Sequence, residues 1–165
     1  MSLKAQAITG GNLFIAGIGL MGELVDFEPP KFEHETIEAS AEIGKYEIVL
    51  PTLKPLSAKF TINNVSAVYF ALLNTKIKQS LYVKANHTDG EGAATQVVAT
   101  FSGNIKVLEP PKFEMNKEAN LSIEMNCYFC KYDVDKKPVL IYDVDNKIYA
   151  VDGIDLYESI RKNIS

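Results

Sequence analysis

Apolar side chains recur at every second position through most of this chain, and that period constrains the fold more than any other feature. Tyr46, Ile48 and Leu50 alternate with Glu47 and Val49, and Ala58, Phe60 and Ile62 alternate with Lys59 and Thr61. The same pattern sets Leu81, Val83 and Ala85 against Tyr82 and Lys84. It continues through Thr95, Val97, Ala99 and Phe101, then Ile105 and Val107. The longest run is Leu121, Ile123, Met125, Cys127 and Phe129, opposed by Ser122, Glu124, Asn126 and Tyr128. Strict alternation describes strands with one buried and one more polar face. Turn residues separate the runs at Thr88-Asp-Gly-Glu-Gly92, Ser102-Gly-Asn104 and Asp145-Asn-Lys147.

Two helices interrupt the strands. Val65, Val68, Tyr69, Leu72 and Leu73 fall at helical spacing over about three turns, with Asn63 or Asn64 placed to cap them. A short C-terminal helix is expected over Leu156–Lys162, capped by Asp155. At 165 residues the chain suits a single domain spanning 1–165, long enough to bury a core without staples. The expected fold class is α+β, mainly β: an antiparallel barrel or sandwich with one packed helix and a short C-terminal helix.

Ala5–Gly22 is an uncharged run of eighteen residues, long enough to raise the question of a membrane span. Five of the eighteen are glycine, each costing about 1 kcal/mol against alanine inside a helix, so a spanning helix is a poor reading. No small-x-small cleavage site follows Leu13–Met21, where Glu23 and Asp26 come instead, which argues against a signal peptide. No stable membrane insertion is expected.

The chemical motifs fail one by one. Gly17-Ile-Gly-Leu-Met-Gly22 formally matches G-x-G-x-x-G, but Pro29 and Pro30 leave no room for the phosphate-holding helix. Cys127 and Cys130, three apart on an extended strand, point to opposite faces and converge poorly on one metal. His34 and His87 sit in separate segments among acidic or polar residues, where solvation is expected. Asp133, Asp135, Asp143 and Asp145 evoke a calcium loop, but the required Gly and Glu are Ile148 and Ile154, so turn roles are expected. With no nucleophile elbow, Walker loop or Cys beside a His, neither an enzyme nor a cofactor is expected. A net charge of −4 with Arg161 the only arginine also argues against sequence-specific nucleic-acid reading.

One internal echo stands out. Phe27-Glu-Pro-Pro-Lys-Phe-Glu33 recurs as Leu108-Glu-Pro-Pro-Lys-Phe-Glu114, and paired prolines mark edge strands or kinked connections.

Asn12-Leu-Phe-Ile-Ala-Gly-Ile-Gly-Leu-Met-Gly22 followed by Val25-Asp-Phe-Glu-Pro-Pro-Lys31 resembles the opening of the major tail tube proteins of contractile-tailed bacteriophages. The resemblance resumes at Cys127-Tyr-Phe-Cys-Lys-Tyr132 and closes with Val151-Asp-Gly-Ile-Asp155, Leu156–Ile160 and Arg161-Lys-Asn-Ile164. It spans nearly the whole chain, although Lys45–Leu108 matches mainly in pattern, and Ser165 stands where the family usually has Gly.

The resemblance implies a structural virion protein whose hexameric rings stack into an inner tail tube. A contractile sheath would surround that tube, which would conduct DNA into the host cell. It implies as partners further copies of the chain, the sheath protein, a baseplate or tube initiator and a tail terminator, with assembly in the host bacterial cytoplasm. Residues 1–30 then become an N-terminal arm, and 36–45 the hairpin loop that reaches the neighbouring ring. Candidate interface residues are Leu13, Phe14, Ile15, Gly17, Ile18 and Met21 on the arm, with Ile37 and Ile43 on the loop. The candidate channel lining is Ser122, Glu124 and Asn126 with Lys59 and Thr61, residues that would equally suit a solvated outer face. A neutral-to-acidic wall would let DNA slide, because each basic phosphate contact resists transit. Two other readings stay open: the tube of a genome-less, phage-tail-like particle, and a monomeric β-barrel binding a small apolar ligand.

Overall fold

A computed structural model describes residues 3–15, 18–19 and 24–165. Among the described residues, twelve strands and two helices follow one another. They are β1 (Gln6–Ile15), β2 (Ile18–Gly19), β3 (Leu24–Glu28), β4 (His34–Ala41), β5 (Gly44–Leu53) and β6 (Leu56–Ile62). After α1 (Ala67–Ala71) come β7 (Gln79–Asp89), β8 (Ala94–Glu109), β9 (Leu121–Val134), β10 (Lys137–Asp143), β11 (Ile148–Val151), β12 (Ile154–Asp155) and α2 (Glu158–Ile164). The fold is α+β and mainly β, and every strand pairing is antiparallel.

Ten strands form one sheet in the order β12-β11-β10-β9-β8-β7-β1-β2, with β6 branching off β9 and carrying β3. β4 and β5 form a separate two-stranded sheet. The branch has a local cause. β9 pairs with β8 along one edge, while its other edge pairs with β6 over Leu121–Cys127 and with β10 over Phe129–Val134. At the changeover the β8 ladder steps from Gly103↔Cys127 to Ser102↔Phe129, which leaves Tyr128 as the extra residue of a β-bulge.

The bulge resets the alternation. Leu121, Ile123, Met125 and Cys127 are buried as the period predicts, but beyond Tyr128 the buried position is Cys130 rather than Phe129. Both cysteines therefore face the core. That corrects the expectation of opposite faces, because a bulge adds one residue to a period of two. Gly103 makes the close approach possible: a Cβ there would stand 1.9 Å from the Asn126 carbonyl oxygen. Ser102-Gly-Asn104 is thus the interior of a sixteen-residue strand, not a turn.

One core fills the space enclosed by the sheet. Leu13, Ile15, Phe60, Ile62, Leu81, Phe101, Leu121, Ile123 and Met125 are all fully buried, with Tyr69 of α1 and Leu72 just after it packed against them. Large side chains occupy this interior, and the concavities found among the described residues open at the surface.

Several local expectations change. Of residues 1–30, the described strands belong to the sheet: β1 runs along β7 from Gln6↔Asp89 to Ile15↔Leu81, and β3 pairs with β6. Helix α1 is only five residues long and is capped by Ser66, whose hydroxyl accepts from the Val68 N–H at 3.4 Å, rather than by Asn63 or Asn64. Val65, Val68 and Leu73 are exposed, so only the Tyr69–Leu72 edge packs. Helix α2 begins two residues later than expected. Asp155 still holds its start, accepting from the Tyr157 N–H at 3.1 Å and from Arg161 at 2.7 Å. The arginine hydrogen bond, with a smaller backbone contribution from Tyr157, lowers the Asp155 carboxyl below its ordinary range. No helix among the described residues is long and apolar enough to cross a membrane.

Candidate assembly surfaces

The β4–β5 hairpin stands largely in solvent. Its register, Ile37↔Ile48, Ala39↔Tyr46 and Ala41↔Gly44, collects apolar side chains on one face. The opposite face carries Thr36, Glu38 and Ser40 against Val49, Glu47 and Lys45. Such a division belongs to a half-buried sheet, yet Ile37, Tyr46 and Ile48 are exposed and Ile43 at the tip is 102% exposed. The element expected as a loop over 36–45 is thus a regular hairpin over His34–Leu53. The Lys54 N–H donates to the Glu33 carbonyl at 2.8 Å and closes the hairpin base, which is tied to the body where His34 Nε2 lies 2.9 Å from the Tyr149 hydroxyl. His34 is therefore half-buried and bonded rather than solvated, because the hairpin base folds onto β11.

A second surface lies on the outer side of β6, β9 and β8. The pairings Lys59↔Glu124 and Thr61↔Ser122 bring the candidate channel residues onto one face, and Ser57↔Asn126 extends it. The Thr61 and Ser122 hydroxyls are 3.2 Å apart. Asn104 pairs with Asn126 on the next strand. Ser57 and Asn104 were missed because each lies in a short or interrupted run, although alternation about Ala58 and Ile105 points to them. Lys59 and Glu124 lie in register, and Asp26 and Glu28 of β3 and Glu109 of β8 pair onto the same face, so the face is polar with acids outnumbering the one lysine.

The arm residues separate. Leu13 and Ile15 are 0% exposed within the chain's own core, which removes their side chains from any surface offered to a neighbour. These two side chains are taken up within the subunit, since β1 is a paired strand with its far end buried. Phe14 points the other way and meets Tyr82 edge-on at 6.5 Å. Ile18 pairs with Ile15 through its backbone. Gly17 and Met21 lie outside the described residues.

The candidate chemical groups have structural work. Cys127 and Cys130 are buried free thiols, and hydrogen bonding with Cys127 followed by burial pushes the Cys130 thiol up. Asp143 accepts from the Asn146 backbone N–H at 3.2 Å, Asp135 from the Gln96 N–H at 3.1 Å, and Asp145 pairs with Lys78 at 2.6 Å. These are turn and surface roles. Among the described residues no three His, Cys, Asp or Glu side chains group to hold a metal.

A family model described as phage tail tube protein FII matches residues 5–164. The chain belongs to this tail tube family. Membership carries a structural role in a tail tube. No curated protein sequence matches. Among solved structures, this tail tube chain is similar to one described as the sheath/tube terminator of PVC, an extracellular contractile injection system, in its extended state. The TM-score is 0.57 and the identity 12%, covering 76% of this chain and 94% of that one, so the likeness concerns the fold.

Proposed function

We propose that copies of this chain close into hexameric rings that stack into the inner tube of a contractile tail, which passes DNA into a host cell. The observation that carries the stacking is the β4–β5 hairpin, whose apolar face finds no cover within its own subunit. An isolated two-stranded hairpin is marginal in water, so its apolar face calls for a partner. Obligate interfaces bury roughly 2,000–5,000 Å² and are more apolar than transient ones. The face formed by Lys59, Thr61, Ser122, Glu124 and Asn126 is the channel wall in this reading. Its excess of acids, with Asp26, Glu28, Glu109 and Glu124 around Lys59, suits a duplex that must slide rather than bind. Sheath, initiator and terminator proteins are the expected partners, and the tube functions in the virion tail after assembly in the host cytoplasm. The family model and the sheet fold support the tube role.

Light scattering after size exclusion, with negative-stain images of the same fractions, tests this directly. Rings with a central hole, or tubes of regular axial repeat, are expected from the purified chain or after addition of a matching baseplate fraction. Monomers under both conditions would refute the reading. Replacing Thr36–Lys45 by a short glycine linker should leave subunits or rings that do not stack, whereas tubes unaffected by that change would refute the role of the hairpin.

A further inference from the structure

The two copies of the proline motif end in opposite situations. In the first, Phe27 packs on the core against Phe101, with ring centroids 6.0 Å apart, and Pro30 is buried. Phe32 then docks on the body, meeting Tyr132 edge-to-face at 5.8 Å. Tyr132 in turn meets Phe101 edge-to-face at 5.7 Å. In the second, Leu108 packs on the core like Phe27, and Pro111 is half-buried. Phe113, the counterpart of Phe32, is instead 105% exposed. Both copies hold a Lys–Glu pair across the phenylalanine: Lys31–Glu33 at 4.0 Å and Lys112–Glu114 at 3.1 Å. The motif thus presents a flanked aromatic knob twice, and only one knob is seated.

The same surface logic supplies a socket. A cleft of ≈ 300 Å³ opens where the end of β5, the β10–β11 turn and the start of α2 meet. It contains Pro51, Leu53 and Tyr157 together with Tyr142 and Tyr149. Tyr142 and Tyr149 form an edge-to-face pair at 6.1 Å, as Phe101 and Tyr132 do beneath Phe32, with the Tyr149 ring largely covered by His34 and Tyr142 the more open of the two. The cleft also carries Asp143 and Lys147, one charge of each sign, as the knob carries Lys112 and Glu114. We infer that Phe113 of one copy seats in this tyrosine-lined cleft of the next copy. Knob and socket belong to different elements, so the contact is heterologous, the type that closes a ring or propagates a filament. A buried aromatic anchor in a preformed pocket with a polar rim is the usual form of an interface hot spot.

This inference rests on the self-assembling reading above, and the test separates the two. Because Phe113 is fully exposed, Phe113→Ala should leave the subunit's melting curve unchanged while raising the concentration needed for assembly at least tenfold. In a second variant, photo-crosslinking benzoylphenylalanine replaces Phe113 in an isotopically mixed preparation. It should yield adducts between differently labelled copies that map to residues 51–53 or 142–157. Assembly of Phe113→Ala at wild-type concentration, or adducts to another region or another protein, would overturn the knob and leave the tube. Wild-type chain that never assembles with its baseplate fraction would overturn the tube reading and the knob with it.

Discussion

The β6–β9–β8 ladders and the β4–β5 hairpin show the same alternation and have opposite fates. In the ladders, Phe60, Ile62, Ile123 and Met125 are fully buried, with polar partners on the other side. In the hairpin, Ile37, Tyr46 and Ile48 take the equivalent apolar positions and stay exposed. Period alone separates the two faces of a strand, and what covers the apolar face depends on the rest of the fold or on another chain. The ladders are therefore finished within the subunit, and the hairpin is not. Mutations in the first should reach folding, and mutations in the second should reach assembly alone.

The sharpest break on the folded side is Gly103→Ala. A Cβ 1.9 Å from backbone must displace β8 from β9 at the bulge, so a loss of about 3 kcal/mol or more is expected, read as lost soluble yield or denaturant midpoint. Phe60→Ala removes a fully buried ring and should cost about 3–5 kcal/mol in the same measurement. On the unfinished side, Ile37→Thr with Ile48→Thr, which keeps β-branched side chains at a directly opposed pair, should strongly reduce stacking in electron micrographs. The same pair should move subunit stability by only about 0.5 kcal/mol per exposed site. Equal damage to both properties would erase the distinction between the two regions.

Two smaller effects sharpen the account through pH. Burial pushes the Tyr132 hydroxyl up to about 12, against about 10 in an unfolded chain. The neutral folded tyrosine thus contributes stability that is complete below the unfolded value and disappears as pH rises through the folded one. Tyr132→Phe should flatten alkaline unfolding in that window while keeping the edge contact with Phe32. Asp155 runs the other way: its lowered pKa gives a contribution present above about 3.9 and lost as pH falls through the folded value. Asp155→Asn should lower the melting temperature slightly at neutral pH, and the difference should close in acid.

The strands and their buried faces were legible because a period of two survives wherever one side is covered, as at Leu121–Cys127. The bulge at Tyr128 was not, since an extra residue shows only when the partner strand is known. The same gap misread Gly103 as a turn residue: glycine marks turns and close backbone approaches alike. Helix α1 looked longer because Val65 and Leu73 keep helical spacing without packing. Leu13 and Ile15 were taken for interface residues because an apolar stretch reads the same whether its partner is a neighbour or its own β7. Much of the polar face of β6 and β9 is legible from its alternation with Ala58, Phe60, Ile123 and Met125, whereas Ser57, at the end of a short run, is not.

A reconstruction of the assembled particle by electron cryomicroscopy tests the central claim most directly. The account predicts stacked rings in which the Ile37–Ile48 face of each hairpin is buried on the adjacent ring, with Lys59 and Glu124 facing a central channel. Rings that stack with this hairpin face in solvent, or that turn Lys59 and Glu124 outward, would contradict it.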